Sequence, residues 1–278
     1  MKLEKVINDD LNKLLEIRTD DDFTIESVYY RGDTLCVSSQ VGCPVECAFC
    51  ASGLNGLKRN LSYEEIINQY NIAIQNGYTI SNITFAGIGE PLLNWENVKK
   101  AFWFFKKNGL KVSFYTTGFP LKNFKELLTL PHNGISVSIH AVDEEKRKFL
   151  IPKSARLENI LDILKEHVKN LSNRKRKLYS LAYLLIKDVN DTYNELEKLS
   201  KLAKDLGLSV SLLKYNQIEN IPFETTSDED YEKAFLFLRK KGIKVTLSNR
   251  YRTRKIGGCG TLMINRLKKE EGGCPSCM

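Results

Sequence analysis

No stretch of this chain stays apolar for long enough to cross a bilayer. Its first ten residues, Met1-Lys-Leu-Glu-Lys-Val-Ile-Asn-Asp-Asp10, lack the apolar core of a signal peptide. These absences argue against a membrane protein and predict a cytoplasmic one. Internal repeats and low-complexity segments are missing too. The 278 residues are enough for one large domain or two small ones with a substantial core. The cysteine count is odd, at seven, which argues against a fully paired disulfide framework. In a reducing compartment, cysteines grouped as they are here point to metal or catalysis. The net charge of +8 and pI of 9.0 suit a polyanionic partner such as RNA, but many Lys-rich proteins bind nothing anionic.

The pattern of the chain predicts an α/β fold. Residues 1–22 read as a short helical N-terminal extension ending in a turn at Thr19–Asp22. Two short strands follow between Phe23 and Val37, around Arg31-Gly32-Asp33. A Cys- and Gly-rich loop then runs from Ser38 to Asn60. Beyond it, strand and helix alternate about six times between Ser62 and Leu247, with Ser62 and Glu65 forming a capping box. Short, nearly all-apolar strands alternating with helices predict a parallel sheet, as a partial (β/α)6 barrel or a doubly wound sheet. Either way, chemistry belongs at the carboxyl ends of the strands. The loops at Gly87–Pro91, Thr116–Gly118, His140-Ala141 and Asn216 all follow strands directly.

Cys43-x-x-x-Cys47-x-x-Cys50 lies in the Cys-rich loop. Structural zinc prefers four ligands arranged as two pairs. A 4Fe–4S cluster normally takes four thiolates, so three leave one iron open to bind a substrate. The spacing predicts such a cluster; a zinc site completed by Cys36 is the alternative. With Phe49 before the third cysteine and Gly53 and Gly56 after it, the triad is similar to that of radical S-adenosylmethionine (SAM) enzymes.

A closer likeness rests on Leu35-Cys-Val-Ser-Ser-Gln-Val-Gly-Cys43, Gly56-Leu-Lys-Arg-Asn-Leu61, Gly87-Ile-Gly-Glu-Pro-Leu-Leu-Asn94, Ser138-Ile-His-Ala141, Asp188-Val-Asn-Asp191 and Cys259-Gly260. In this order, over roughly residues 24–265, the chain resembles the RlmN/Cfr family of radical SAM RNA adenosine methyltransferases. The resemblance implies a partial barrel of the radical SAM type, a 4Fe–4S cluster on Cys43, Cys47 and Cys50, and SAM as cofactor. It also implies a two-stage reaction. A cysteine takes a methyl group from one SAM; a radical from a second SAM then activates that methyl for addition to an electron-poor adenine carbon. Carbon 2 is the expected target and carbon 8 the alternative. By the same resemblance Cys259 is the methyl carrier, Cys36 the resolving thiol and Glu26 the proton acceptor. Gly89, Glu90, Ser138, Ile139, His140 and Asn216 are the expected SAM contacts. An rRNA or tRNA substrate, an electron donor such as flavodoxin or ferredoxin, and a monomeric state complete the expectation.

The pattern also departs from the family. Only about 22 residues precede the matching core, where family members carry an accessory domain that helps recognise folded RNA. This leaves a non-RNA substrate, or a non-catalytic Fe–S or zinc protein that binds RNA, as rival readings. Tyr115 stands where a serine contacting SAM is usual, and Arg250-Tyr-Arg-Thr-Arg-Lys255 replaces acidic residues. That basic run leads into Cys259 and is a candidate phosphate contact, whereas Arg174-Lys-Arg-Lys177 reads as a solvated turn opposite the site. The core is expected to span residues 23–267 and a tail residues 268–278. In the tail, Cys274 and Cys277 read as half of an intermolecular metal site, a thiol pair that re-reduces Cys36–Cys259, or part of a disordered end.

Overall fold

The structure is a computed structural model, and it describes residues 1–247, 253 and 256–264. The second basic run, apart from Thr253, and the cysteine pair Cys274/Cys277 lie outside the described residues.

The described residues form twelve strands and eight α-helices, which alternate from α1 onward. In order they are β1 (Lys2–Asn8), β2 (Asn12–Arg18), β3 (Thr24–Tyr30), β4 (Thr34–Val37), β5 (Gln40–Gly42), β6 (Leu57–Asn60), α1 (Tyr63–Gln75), β7 (Asn82–Phe85), α2 (Trp95–Lys107), β8 (Lys111–Thr116), α3 (Leu121–Thr129), β9 (Gly134–Ser138), α4 (Glu144–Leu150), α5 (Leu157–Lys169), α6 (Asn173–Arg176), β10 (Tyr179–Leu185), α7 (Tyr193–Leu206), β11 (Ser209–Lys214), α8 (Asp228–Lys240) and β12 (Val245–Leu247). Ten strands form one sheet, ordered β1-β2-β3-β4-β7-β8-β9-β10-β11-β12; β5 and β6 make a separate ribbon. From β4 to β12 every neighbouring pair is parallel. The order runs outward from β4 without closing, which is the partial barrel expected from the alternation.

Residues 1–22 correct the helical reading. They form β1 and β2, an antiparallel hairpin paired along its length, which joins the parallel sheet through β3 and β4. The reason is burial: Leu14, Leu15 and Ile17 in β2 are fully buried. A strand flanked on both edges and packed on both faces reads as a continuous run rather than an alternation. The turn at Asp9–Asn12, closed by the Asp9 amide on the Asn12 carbonyl, is the local signal for the hairpin. Residues 265–267 and the proposed tail lie outside the described residues.

The two faces of the parallel sheet differ. Ile83, Phe85, Val112, Phe114, Ile135, Val137, Leu181, Val210 and Leu212 pack with the helices in the main core. There the rings of Phe85 and Phe114 stack at 4.9 Å. The alternate residues face inward and are small or polar: Thr84, Ser113, Tyr115, Ser136 and Ser138. Some bond to each other, Thr84 to Ser113 at 3.0 Å and Ser136 to Ser180 at 2.9 Å. The period-two alternation of a strand thus divides core from cavity. Among the described residues no helix is long and apolar enough to cross a membrane.

α1 starts where expected. Ser62 Oγ accepts from the Glu65 amide and the Glu65 carboxylate accepts from the Ser62 amide, satisfying two of the helix's orphan donors. α4 and α6 were not anticipated. Arg174–Arg176, read as a solvated turn, form most of α6, and Arg176 ties its guanidinium to the carbonyls of Lys169 and Leu171.

Candidate active site

The cysteine loop leaves the sheet after β4 and is bounded by the β5–β6 ribbon. Its closure depends on missing side chains. Gly42 has a φ of +82°, and a Cβ there would stand 2.0 Å from the Gly56 carbonyl oxygen. A Cβ on Gly53 would stand 2.8 Å from the Glu46 Cα. Bonds from outside hold the loop, among them Ala48 N–H to the Leu150 carbonyl at 3.0 Å and Ala51 N–H to the Gly260 carbonyl at 2.9 Å. Lys153 adds an ion pair to Glu46 at 2.5 Å.

Cys43, Cys47 and Cys50 are thiols in this loop. Burial, followed by the repulsion of Cys50, pushes the Cys43 thiol up to about 12. Burial likewise raises Cys47 and Cys50, and Cys47 feels both other sulfurs. Against this, backbone amides favour the thiolates: Val45 and Glu46 at Cys43, Ser52 and Gly53 at Cys50. Three half-buried sulfurs, with amides aimed at two of them, suit an iron–sulfur cluster, whose irons would stabilise the thiolate form. Among the described residues, no three His, Cys, Asp or Glu side chains are gathered to hold a single metal ion. A cluster asks for a different arrangement, each thiolate on its own iron.

A cavity opens beside this loop, at the carboxyl ends of the parallel strands. Cys36, Thr84, Tyr115, Ser138, Leu184 and Leu213 line it from the sheet, Phe49 and Cys50 from the cysteine loop, and Gly257–Gly260 from a final strap. Cys36 faces Val28 across β3 and Thr84 across β7, and is 8% exposed. The strap, residues 256–264, is pinned from five sides. Asn12 donates to the Ile256 carbonyl at 3.3 Å, Asn216 to Cys259 at 2.9 Å and Ser52 to Leu262 at 2.7 Å. Ala51 binds Gly260 as above, and the Met263 amide donates to Glu26 Oε2 at 2.9 Å. Gly257, at φ +69°, crosses so close to Val28 that a Cβ would meet its methyl at 2.9 Å.

Cys36, Cys259, Ser138 and His140 thus meet in one cavity with the third cysteine of the loop. His140 is buried and held at φ +55°. Its Nδ1 accepts the Leu184 amide at 3.0 Å, so the ring proton sits on Nε2. Burial, with Arg147 nearby, lowers its pKa to about 3, so the ring is neutral at physiological pH. Phe49 packs edge-on against it, with centroids 5.0 Å apart. Ile139 is buried in the main core, and its amide bonds the Ala182 carbonyl at 3.1 Å.

The other expected contacts stand behind the lining. Gly89, at φ +104°, lies against Gln40, and the Gln40 amide oxygen accepts the Glu90 amide at 2.9 Å. Glu90 is 4% exposed, and each of its carboxylate oxygens accepts twice. Oε1 takes the Thr116 hydroxyl at 2.5 Å and the Leu92 amide at 3.1 Å; Oε2 takes the Thr117 amide at 2.8 Å and hydroxyl at 2.9 Å. Glu90 therefore fastens the loop after β7 to the end of β8. Asn216 spends a donor on the strap, at the Cys259 carbonyl. Glu26 is fully buried on the β3 face that carries Val28 and Tyr30, next to Ser38 just past β4 and under Met263.

Several supporting residues escaped the sequence reading. Gln69 accepts the Ser38 amide and donates to the Ser38 carbonyl, both at 2.8 Å, fixing the exit from β4. Asn190 donates to the carbonyls of His140 and Leu184 at 2.7 Å and fixes the turn carrying His140. Thr116, Thr117 and Asn190 lay in segments already singled out, but nothing local marks Gln69 or the buried Arg147.

The chain is similar to known radical SAM proteins. The radical SAM superfamily matches residues 37–203, a span that contains all three thiols of the loop. A probable dual-specificity RNA methyltransferase RlmN of Aquifex aeolicus is 36% identical, over 96% of this chain and 80% of the relative. The protein of the same name from Dictyoglomus turgidum is 32% identical, over 97% and 80%. The crystal structure of a radical SAM methyltransferase from Sphaerobacter thermophilus superposes with a TM-score of 0.84 at 28% identity, covering 94% of this chain and 80% of that one. Streptococcus suis SuiB bound to SAM shares the fold at 13% identity and a TM-score of 0.59, over 80% of this chain and 51% of that one. The chain belongs to the RlmN family of radical SAM methyltransferases. Its cofactors are accordingly a 4Fe–4S cluster and SAM.

Proposed function

We propose that this enzyme methylates a ring carbon of adenine in RNA, carbon 2, through a methyl group carried on Cys259. The observation that carries the reading is the meeting of Cys36 and Cys259, from opposite ends of the chain, in one cavity with Cys50. Adenine carbon 2 lies between two ring nitrogens and is too electron-poor to attack the methyl of SAM. Cys43, Cys47 and Cys50 would hold the cluster, which with SAM supplies the one-electron chemistry that makes a carrier-bound methyl reactive.

The protein's own groups do the rest. Cys259 Sγ loses its proton and accepts the methyl group, and the strap's bonds to Asn12, Ala51, Ser52, Asn216 and Glu26 hold it over the cavity. His140 presents a neutral Nε2–H donor, and with Ser138 it lines the nucleoside end of the SAM site. Gly89 and Glu90 hold the loop that meets the methionine amino group. Glu26 takes the proton that leaves carbon 2, as a buried carboxylate within the same wall. Cys36 Sγ then attacks Cys259 Sγ: a Cys36–Cys259 disulfide forms, the sulfur–carbon bond to the base breaks, and the released carbon takes up a proton. A thiol reductant returns both cysteines for the next turnover. The base must leave its stack to reach this cavity, so unpaired or extruded adenine is the substrate form. The chain acts as a monomer, with flavodoxin or ferredoxin as electron donor.

The test is anaerobic reconstitution, incubation with SAM, reductant and total RNA, and mass spectrometry of the nucleosides. A 2-methyladenosine peak that requires Cys259 is the expected result. An 8-methyladenosine peak would move the reaction to the other carbon. Formation of 5′-deoxyadenosine with no methylated nucleoside would overturn the RNA assignment.

A further inference from the structure

α4 carries a charge that the reaction above does not use. Arg147 is 1% exposed, and its helix follows the strand that carries Ser138. Among the described residues its guanidinium is hydrogen-bonded by neutral groups: Nη1 donates to the Ala155 carbonyl at 2.8 Å, and Nη2 to Ser154 Oγ at 3.2 Å and the Thr117 carbonyl at 3.4 Å. The buried Nε has no hydrogen-bond partner among the described residues. Glu144, a turn earlier, acts on it through space, but its carboxylate is engaged by the Leu157 amide. Glu144 keeps its charge but makes no hydrogen-bonded ion pair with the guanidinium, and a buried cation lacking such a pair is costly to hold. Retaining one makes physical sense where an anion arrives later.

The neighbouring groups name that anion. The last turn of α4 is bonded to the cysteine loop through Ala48 and Leu150, and Leu150 packs with Val45 and Phe49. Arg147 stands one turn before Leu150 on this helix, and Leu150 holds the amide of Ala48, the residue next to Cys47. Arg147 is not among the residues that line the cavity. A cluster on three thiolates is net negative, and reduction adds one more negative charge in a low-dielectric pocket.

We propose that Arg147 is the fixed counter-charge of the cluster, stabilising its reduced form and so setting its reduction potential. The proposal rests on the cluster binding at Cys43, Cys47 and Cys50.

The experiment uses full-length protein, reconstituted anaerobically, as wild type, R147Q and R147K. Iron and sulfide content, a redox titration followed by electron paramagnetic resonance without SAM, and SAM affinity are measured. R147Q should load iron and become harder to reduce by at least tenfold in the equilibrium, about 59 mV for one electron. R147K should recover most of that shift. A fully loaded R147Q with an unchanged potential overturns the proposal; if SAM affinity falls in that case, the charge serves the methionine carboxylate instead. Should R147Q fail to load, R147K decides: loading near the wild-type potential supports a charge role, and failure to load assigns Arg147 to holding the loop alone. Wild-type protein without a cluster spectrum would sink the cluster site itself, a different outcome from any of these.

Discussion

The side-chain amide of Asn216, just past β11, donates to the main-chain carbonyl of Cys259 at 2.9 Å, across 43 residues of sequence. One bond thus ties the end of a barrel strand to the proposed methyl carrier. Asn216→Ala removes a hydrogen bond worth about 1 kcal/mol, so amide exchange in the strap should rise roughly fivefold. Methyl loading of Cys259 should slow with it. Unchanged exchange at residues 257–260 would show that the other anchors suffice.

Cys259→Ala should abolish protein-bound methyl while leaving the cluster's absorbance intact, since Cys259 is not among the three loop thiols. Labelled methyl retained on that variant would sink the carrier role. Cys36→Ala should accumulate a covalent protein–RNA adduct, visible as a shifted band on a denaturing gel. Rapid and complete release of methylated product from this variant would count against Cys36 as the resolving thiol.

Gly42→Ala puts a Cβ 2.0 Å from the Gly56 carbonyl oxygen, so the backbone of the β5–β6 ribbon must shift. We expect iron binding to be largely lost. Gly32→Ala is the control: its φ is also positive, +77°, but nothing lies within 4 Å. It should cost only about 1 kcal/mol and leave iron content at the wild-type level. Equal loss in both variants would refute a steric cause.

His132 is buried at the far side of the core, where it and His167 both contact the Tyr179 hydroxyl, at 2.9 and 2.8 Å. Burial, then His167, lowers the His132 pKa to about 4. The folded value lies below the unfolded one, so the contribution of His132 is present above about pH 6.5 and is lost as pH falls toward 4. The stability gap between wild type and His132→Gln should therefore narrow between pH 7 and pH 5, by on the order of 1–2 kcal/mol. Urea unfolding at the two pH values measures it; a constant gap contradicts the shift.

How much of this could be read in advance follows the range of the forces. β11 at Ser209–Lys214 and α5 at Leu157–Lys169 were legible because an apolar run and a helical period are local signals. The cysteine triad and the cavity residues Cys36, Ser138, His140 and Cys259 were legible from motifs. β2 was not, because a strand buried on both faces loses its alternation. The inward serines and threonines were overlooked because the apolar half of each strand dominated the reading. Arg147 sits in Glu144-Glu-Lys-Arg-Lys148, which reads as a solvated charged face. Only the fold turns that one position inward. The bond from Met263 to Glu26 spans 237 residues, a separation no window on the sequence can register.

The strap binds back to Asn12, Glu26, Ala51 and Ser52, all made early in synthesis, whereas the strap itself is made after every strand of the sheet. Chains leave the ribosome amino end first, at about 5–20 residues per second. Until the strap is made and docked, the wall that Gly257–Gly260 give the cavity is missing. The order of manufacture is thus an order of assembly: the cysteine loop exists before the segment that binds it through Ala51 and Ser52, and the cavity is completed from its carboxyl side.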